Sequence, residues 1–147
     1  MDIDIANIKP YCRDVFYYET DNMQIVHHSN YIRWMEEARM DWMKQIDWDY
    51  KKIEDDGIII PVVSVGAEYK TMSHYGDTFE ITVKVSKYTG VRLELSYEIC
   101  DKNTGELRCL GSSSHCLLDK DGHIIFIKKV YPEKDKLLKE MAAMSQK

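Results

Sequence analysis

Between residues 29 and 46 the apolar side chains Tyr31, Met35, Ala38, Trp42 and Ile46 return at steps of three and four, while Arg33, Glu36, Glu37, Asp41 and Lys44 fill the positions between them. A helix turns such spacing into one apolar stripe backed by a charged face, so a single long amphipathic helix is predicted there. Ser29 or Asn30 is expected to cap its start by accepting a hydrogen bond from an otherwise unpaired N–H of the first turn, which puts His28 at the helix entrance. A shorter helical turn is expected over 50–55, closed by Gly57. The pattern then changes to strict alternation. Val63, Val65, Ala67 and Tyr69 alternate with Ser64, Gly66, Glu68 and Lys70; Phe79, Ile81, Val83 and Val85 with Glu80, Thr82 and Lys84; Leu93, Leu95, Tyr97 and Ile99 with Arg92, Glu94, Ser96 and Glu98. Each run reads as a strand with one buried face, and a further strand is expected over 107–118, between turns at 103–105 and 121–122.

Ahead of the helix, the aromatic-rich segment 11–18 reads as a first strand and 19–24 as an ordered polar loop. The tail from Pro132 carries Leu137, Leu138, Met141 and Met144 among Lys and Glu, a weak helical stripe with a fraying end. One strand, a long helix and then four or more antiparallel strands bury the helix stripe most simply if the sheet curls around it, an α+β arrangement. At 147 residues the chain has room for one core. A single domain over 1–147 is therefore expected, with its core over about 11–130 and a helical tail over 131–147.

Composition narrows the function classes. Twenty Lys plus Arg against twenty-five Asp plus Glu leave a net charge of −5, the wrong sign for a general nucleic-acid or anionic-membrane binder. No apolar run reaches the roughly 18 residues of a membrane span, and 58–65 is short and broken by Pro61. The opening MDIDIANIKP carries acids where an export signal carries basic residues, so a cytoplasmic location is expected. Cys12, Cys100, Cys109 and Cys116 are scattered and read as free thiols. No CxxC occurs, and His27 and His28 are adjacent rather than a helical turn apart, which argues against a metal site. Neither GxGxxG nor GxxxxGK is present to cradle a nucleotide phosphate.

Two stretches carry a likeness to a known family. FYYETDNMQIVHHSNYIRWMEEARMDWM, followed by PVVSVGAEYKTMSHYGDTFEITVKV, resembles the hotdog-fold acyl-CoA thioesterases of the 4-hydroxybenzoyl-CoA thioesterase and YbgC type. The likeness runs from about Tyr11 to about Val130. It implies a curled antiparallel sheet of five or six strands around one central helix, and the hydrolysis of a thioester to a free acid and coenzyme A. In that family an Asp-bearing loop leads through a hydrophobic pair to a His or aromatic residue at the helix start; Asp21, Ile25 with Val26, and His28 fall in that register, and Tyr31 continues it. The chain departs from the family in Met23 and Gln24, where small residues, commonly glycine, are usual.

The resemblance assigns Asp21 the role of general base or nucleophile and points to His28 and Tyr17 as further catalytic residues. Thioester hydrolysis also needs donors where charge builds on the carbonyl oxygen, and the backbone N–H groups at the start of the long helix are suited to that. Tyr31 is expected in the core or lining the substrate site. Lys87 and Arg92, around a strand turn, and Lys128 with Lys129 are candidates for the phosphates of coenzyme A. No metal or redox cofactor is implied, since coenzyme A belongs to the substrate. Hotdog relatives pair by joining sheets, so a homodimer and a dimer of dimers are expected, with Ser64, Tyr69 or Tyr88 reaching the site of the partner subunit. The competing reading is a module that binds an acyl-CoA or acyl carrier protein thioester without turnover; hydrolysis of acyl carrier protein thioesters is an intermediate one.

Overall fold

The computed structural model describes residues 3–145. It contains β1 (Tyr11–Asp14), α1 (Ser29–Gln45), α2 (Tyr50–Asp55), β2 (Val62–Tyr69), β3 (Thr78–Tyr88), β4 (Arg92–Asp101), β5 (Leu107–Leu118), β6 (Ile124–Ile125), α3 (Ile127–Val130) and α4 (Pro132–Ser145). The strands form one antiparallel six-stranded sheet in the order β1-β3-β4-β5-β2, with β6 returning alongside β5. The apolar stripe of α1, from Tyr31 through Trp34, Met35, Ala38 and Trp42, is buried in one core with Phe79 and Ile81 of β3, Leu95 and Ile99 of β4 and Cys109 of β5. Each large side chain buried in this way contributes about 1.5–3 kcal/mol. The sheet wraps the helix in the hotdog arrangement.

The alternation seen in the sequence sets which side of the sheet each residue takes. Leu93, Leu95, Tyr97 and Ile99 are buried, while Arg92 and Glu98 are exposed and Glu94 and Ser96 partly so. Gly111 lets α1 come close: a Cβ there would collide with the Met35 sulfur. Gly57 takes φ +79 just beyond α2, the left-handed conformation expected of a helix-ending glycine.

Four sequence expectations need correction. The first strand stops at Asp14, and Tyr17–Glu19 is a 3-10 turn. Neither Ser29 nor Asn30 caps α1. His27 does, its ring Nδ1 accepting the Ser29 N–H at 3.3 Å and its carbonyl the Asn30 N–H at 3.0 Å. β6 and α3 follow the 121–122 turn unannounced. The tail is a regular helix to Ser145 whose Leu137, Leu138 and Met141 belong to the core, so the core does not end near residue 130. The final two residues of that expected tail, and the first two of the chain, lie outside the described residues.

Candidate active site at the entrance to the central helix

The segment between β1 and α1 is shaped from beneath by a buried ion pair. Glu19 is 4% exposed; its carboxylate accepts two hydrogen bonds from Arg13 Nη1, at 2.7 and 2.9 Å, one from Trp34 Nε1 at 2.7 Å and one from the Phe16 N–H at 2.8 Å. Burial alone would raise the Glu19 carboxyl; these donors outweigh it and hold the group below the usual glutamate range. Arg13 Nε also lies 2.9 Å from a carboxylate oxygen of Glu37, at ion-pair distance though without hydrogen-bond alignment. Strand, loop and helix are thus tied together around one carboxylate. No periodic pattern announces it, because Arg13, Glu19 and Trp34 differ in residue type and fall on a strand, a turn and a helix.

Above this anchor the chain makes a tight reversal. Thr20 bridges Val26, Asp21 N donates to the Ile25 carbonyl at 2.9 Å, and Gln24 takes φ 61. Asp21 shapes the reversal: its Oδ1 accepts the N–H groups of Met23 at 2.8 Å and Ile25 at 3.2 Å, while Oδ2 has no hydrogen bond among the described residues. The residue is exposed. Gln24 therefore holds a left-handed conformation that favours glycine, which gives a physical reason for the small residue usual in the resembling family.

His28 follows at the N-terminal boundary of α1, with helical φ −56 and ψ −28. Its ring stacks on His27 at 4.2 Å between centroids and faces the edge of Tyr69 at 6.1 Å. Because His27 takes up the N–H groups of Ser29 and Asn30, and the His28 carbonyl that of Tyr31 at 3.3 Å, the His28 N–H is the helix-start amide left without a hydrogen bond among the described residues. It sits at the positive end of a 17-residue helix. No hydrogen bond joins the side chains of Asp21 and His28.

The other expected site residues separate into three places. Tyr69 stands with His28, its hydroxyl donating to the His28 carbonyl at 3.3 Å, and packs on Tyr31 at 5.2 Å. Tyr31 is 3% exposed and its hydroxyl is spent on buried Ser73 at 2.8 Å, so it fastens the 73–77 turn under the helix. Tyr17 is not on a strand; it projects from the 3-10 turn, 67% exposed, edge-on to Tyr75. Ser64 and Arg92 meet through Ser114, with Arg92 Nη2 3.2 Å from its hydroxyl. This is the opposite side of the sheet from Tyr69, since Ser64 and Tyr69 differ by an odd number of strand positions. Lys87, Tyr88 and Lys128 gather at the far end of the sheet, where Ile127 N donates to the Gly90 carbonyl and Tyr88 donates to Asp135 Oδ1 at 2.6 Å. Burial and Asp135 together push the Tyr88 hydroxyl well above its ordinary range. From Thr78, beside the loop, to Lys87 the strand runs nine residues, or roughly 30 Å.

Two further groupings bear on chemistry. All four cysteines are free. Asp119, Asp121 and His123 are the one set of possible metal ligands close enough to share an ion among the described residues, but they lie in an exposed turn that Asp119 Oδ1 closes by accepting the N–H of Asp121 and of His123.

Residues 15–143 match the family model described as the thioesterase-like superfamily. The chain belongs to that superfamily. A Bacillus subtilis protein named "Putative acyl-CoA thioesterase YneP" is 36% identical over 121 residues, covering 82% of this chain and 87% of the relative. The crystal structure of a DHNA-CoA thioesterase from Staphylococcus aureus superposes with a TM-score of 0.87 at 28% identity, covering 94% of this chain and 93% of that one. A 1,4-dihydroxy-2-naphthoyl-CoA thioesterase from Synechocystis, at 17% identity and a TM-score of 0.79 over 87% of this chain and 95% of the other, adds likeness of fold alone. Among the described residues no helix of this thioesterase-superfamily chain is long and apolar enough to cross a membrane.

Proposed function

We propose that the chain is an acyl-CoA thioesterase that hydrolyses its substrate to a free carboxylic acid and coenzyme A. The observation that carries the reading is the disposition of Asp21: one oxygen is held by the loop's own amides, the other is free, and the segment leads directly to the free His28 N–H at the helix start. In this mechanism the thioester oxygen accepts from the His28 N–H. Asp21 Oδ2 takes a proton from a water whose oxygen bonds to the carbonyl carbon. Collapse of the tetrahedral intermediate breaks the C–S bond and expels the thiolate, which the proton on Asp21 then neutralises. A direct attack by Asp21, giving a mixed anhydride, is the second route. The His28 ring and Tyr17 border the same loop and are assigned to substrate positioning. The narrower kinship with the 4-hydroxybenzoyl-CoA and YbgC type rests on the register of Asp21, Ile25, Val26 and His28 and belongs to this proposal.

The proposal includes a homodimer, and a dimer of dimers beyond it, in the cytoplasm. β2 ends the sheet with Val62, Val63 and Val65 each more than 40% exposed, an open row of backbone groups beside apolar surface that favours pairing. Antiparallel joining of two β2 edges brings the far end of one sheet towards the helix entrance of the other. That gives Lys87, Arg92 and Lys128 a route to the phosphates of a coenzyme A held at the partner's Asp21, from which about 30 Å separates them within one chain. The same basic groups suit an acidic acyl carrier protein, the alternative source of the thioester. The reading as a non-catalytic binder is favoured by one fact, that Asp21 Oδ1 already serves the turn.

Asp21→Asn separates these readings, because an amide oxygen can keep the bonds to the Met23 and Ile25 N–H groups while losing basicity. In a thiol-release assay across short, long and aromatic acyl-CoAs and an acyl carrier protein thioester, the variant is expected to lose a factor of about 10² to 10⁴. Undiminished turnover overturns the mechanism. A wild type that releases no thiol but melts higher with acyl-CoA supports the binder.

A further inference from the structure

The segment joining β2 to β3 runs beside the hairpin that carries Asp21. Ile25 bridges His74, the Val26 N–H donates to the Ser73 carbonyl at 2.8 Å, and the Tyr75 N–H donates to the Gln24 carbonyl at 3.2 Å. The two arms of the hairpin are themselves joined, since the His27 N–H donates to the Glu19 carbonyl at 3.0 Å. Residues 73–75 thus continue the hairpin as a third, antiparallel stretch, and their position sets that of 24–26, the link between Asp21 and His28. From the helix side the Tyr31 hydroxyl holds Ser73 at 2.8 Å.

From the other side a single side chain holds both ends of that segment. Arg108 of β5 is largely buried, its side chain 13% exposed. Nη1 donates to the Met72 carbonyl at 2.7 Å and to the Thr71 hydroxyl at 3.5 Å; Nη2 donates to Asp101 Oδ2 at 3.1 Å and lies 3.9 Å from Asp77 Oδ2. Exposed Glu106 approaches Nη1 at 2.8 Å. Asp77 in turn accepts the His74 N–H at 2.8 Å, and Asp101 is fixed by accepting the Asn103 and Thr104 N–H groups on its other oxygen. A guanidinium is a rigid fork of donors, so one group can grip a carbonyl with one nitrogen and carboxylates with the other, where an ammonium offers a single point charge. A buried ion pair often adds no net stability over apolar residues of the same volume. What this one supplies is placement.

We propose that Arg108 is a positioning residue for the reaction at the helix entrance: by gripping the Met72 carbonyl and Asp77, at the two ends of 72–77, it holds the hydrogen bonds that keep Asp21 and the His28 N–H in one relation to each other. The proposal rests on the thioesterase reading and adds to it a residue from a distant strand. No hydrogen bond or ion pair joins Arg108 to Asp21 or His28 among the described residues; it acts through Ser73, His74 and Tyr75. Misplacing reacting groups by about 1 Å costs on the order of 10²-fold in rate. The carboxylate and the amide at stake both act on the transition state, so the loss falls on kcat and leaves KM nearly unchanged.

The test compares wild type, Arg108→Gln and Arg108→Lys at a temperature where circular dichroism shows each fully folded, with thiol release measured on butanoyl-, benzoyl- and palmitoyl-CoA. In Arg108→Gln kcat per folded enzyme is expected to fall about 10- to 100-fold with KM within about twofold of wild type, and in Arg108→Lys, which keeps the charge and one grip, to recover in part. Amide hydrogen exchange supplies a readout that a merely stabilising role would not move. The Val26 and Tyr75 N–H groups are expected to exchange about tenfold faster in Arg108→Gln while the core amides of β4 keep the wild-type rate. Unchanged kcat per folded enzyme overturns the proposal, and so does exchange that rises equally in β4 and in the hairpin. If Arg108→Gln does not fold, Asp77→Asn makes the same comparison from the partly exposed end of the segment, since it can keep the His74 bond while losing the charge that Arg108 faces. Exchange needs no turnover: acceleration confined to Val26 and Tyr75, in a protein that releases no thiol, keeps the clamp and removes the enzyme.

Discussion

Trp34 of the central helix donates its indole N–H to Glu19 of the preceding loop at 2.7 Å, so a side chain buried at 0% exposure fixes the loop that presents Asp21. Removing one member of a buried charge pair leaves the other uncompensated, at a cost of about 3–5 kcal/mol. Glu19→Ala is therefore expected to lower the denaturant midpoint strongly, and to lower activity in whatever fraction stays folded. Chemical denaturation followed by tryptophan fluorescence measures the first effect.

The same carboxylate gives stability a defined pH dependence. Its folded-state value is lowered from the ordinary one. Its stabilisation is thus complete above the unfolded value of about 4.3 and is lost as pH falls from there through the folded value. Melting temperatures of wild type should drop more steeply below about pH 4.3 than those of Glu19→Gln. Parallel acid limbs in the two proteins would contradict the assignment.

Gln24 sits at φ 61 in the reversal closed by Asp21. A left-handed conformation costs a non-glycine residue about 1–2 kcal/mol. Gln24→Gly should melt at or above the wild-type temperature, and Gln24→Val below it. A stabilising valine would show that the loop does not hold this backbone angle.

Gly111 meets Met35 where α1 crosses β5. Gly111→Ala must displace a buried methionine that is 1% exposed, and should cost about 1–3 kcal/mol. Combined with Met35→Ala the penalty should be less than additive, because the second change empties the space the first one needs.

At the open edge of the sheet, Val65→Arg places charge on the surface proposed to pair. Light scattering should show the variant as a smaller species than wild type, with thiol release lost alongside. A full-sized, active assembly would locate the contact elsewhere.

What the sequence made legible follows from which interactions are local. The helix stripe from Tyr31 to Ile46 and the alternation in β3 and β4 are periodic, and each residue's role there depends on its own neighbours. The loop was harder. Segment 11–18 has the aromatic content of a strand, but Arg13 and Trp34 draw Glu19 inward and the chain turns at Tyr17 instead of continuing. By residue type Ser29 or Asn30 suits the helix cap, whereas Asn30 Nδ2 donates to the Glu19 and His27 carbonyls and leaves capping to His27. Among the candidate site residues, His28 and Tyr69 meet at the helix entrance and Asp21 stands on the hairpin that leads into it, while Lys87 and Lys128 stand at the other end of the sheet. Sequence distance did not carry that information; strand length did.

The turn made by Asp21 has a consequence for how this loop can change. Its Oδ1 reaches the amides two and four residues ahead because one methylene separates carboxylate from backbone. A glutamate, one carbon longer, would swing its acceptor past both amides, so the exchange that best preserves acidity is the one that dissolves the hairpin. Asparagine and aspartate alone can share the scaffold, and only one of them can take a proton from water.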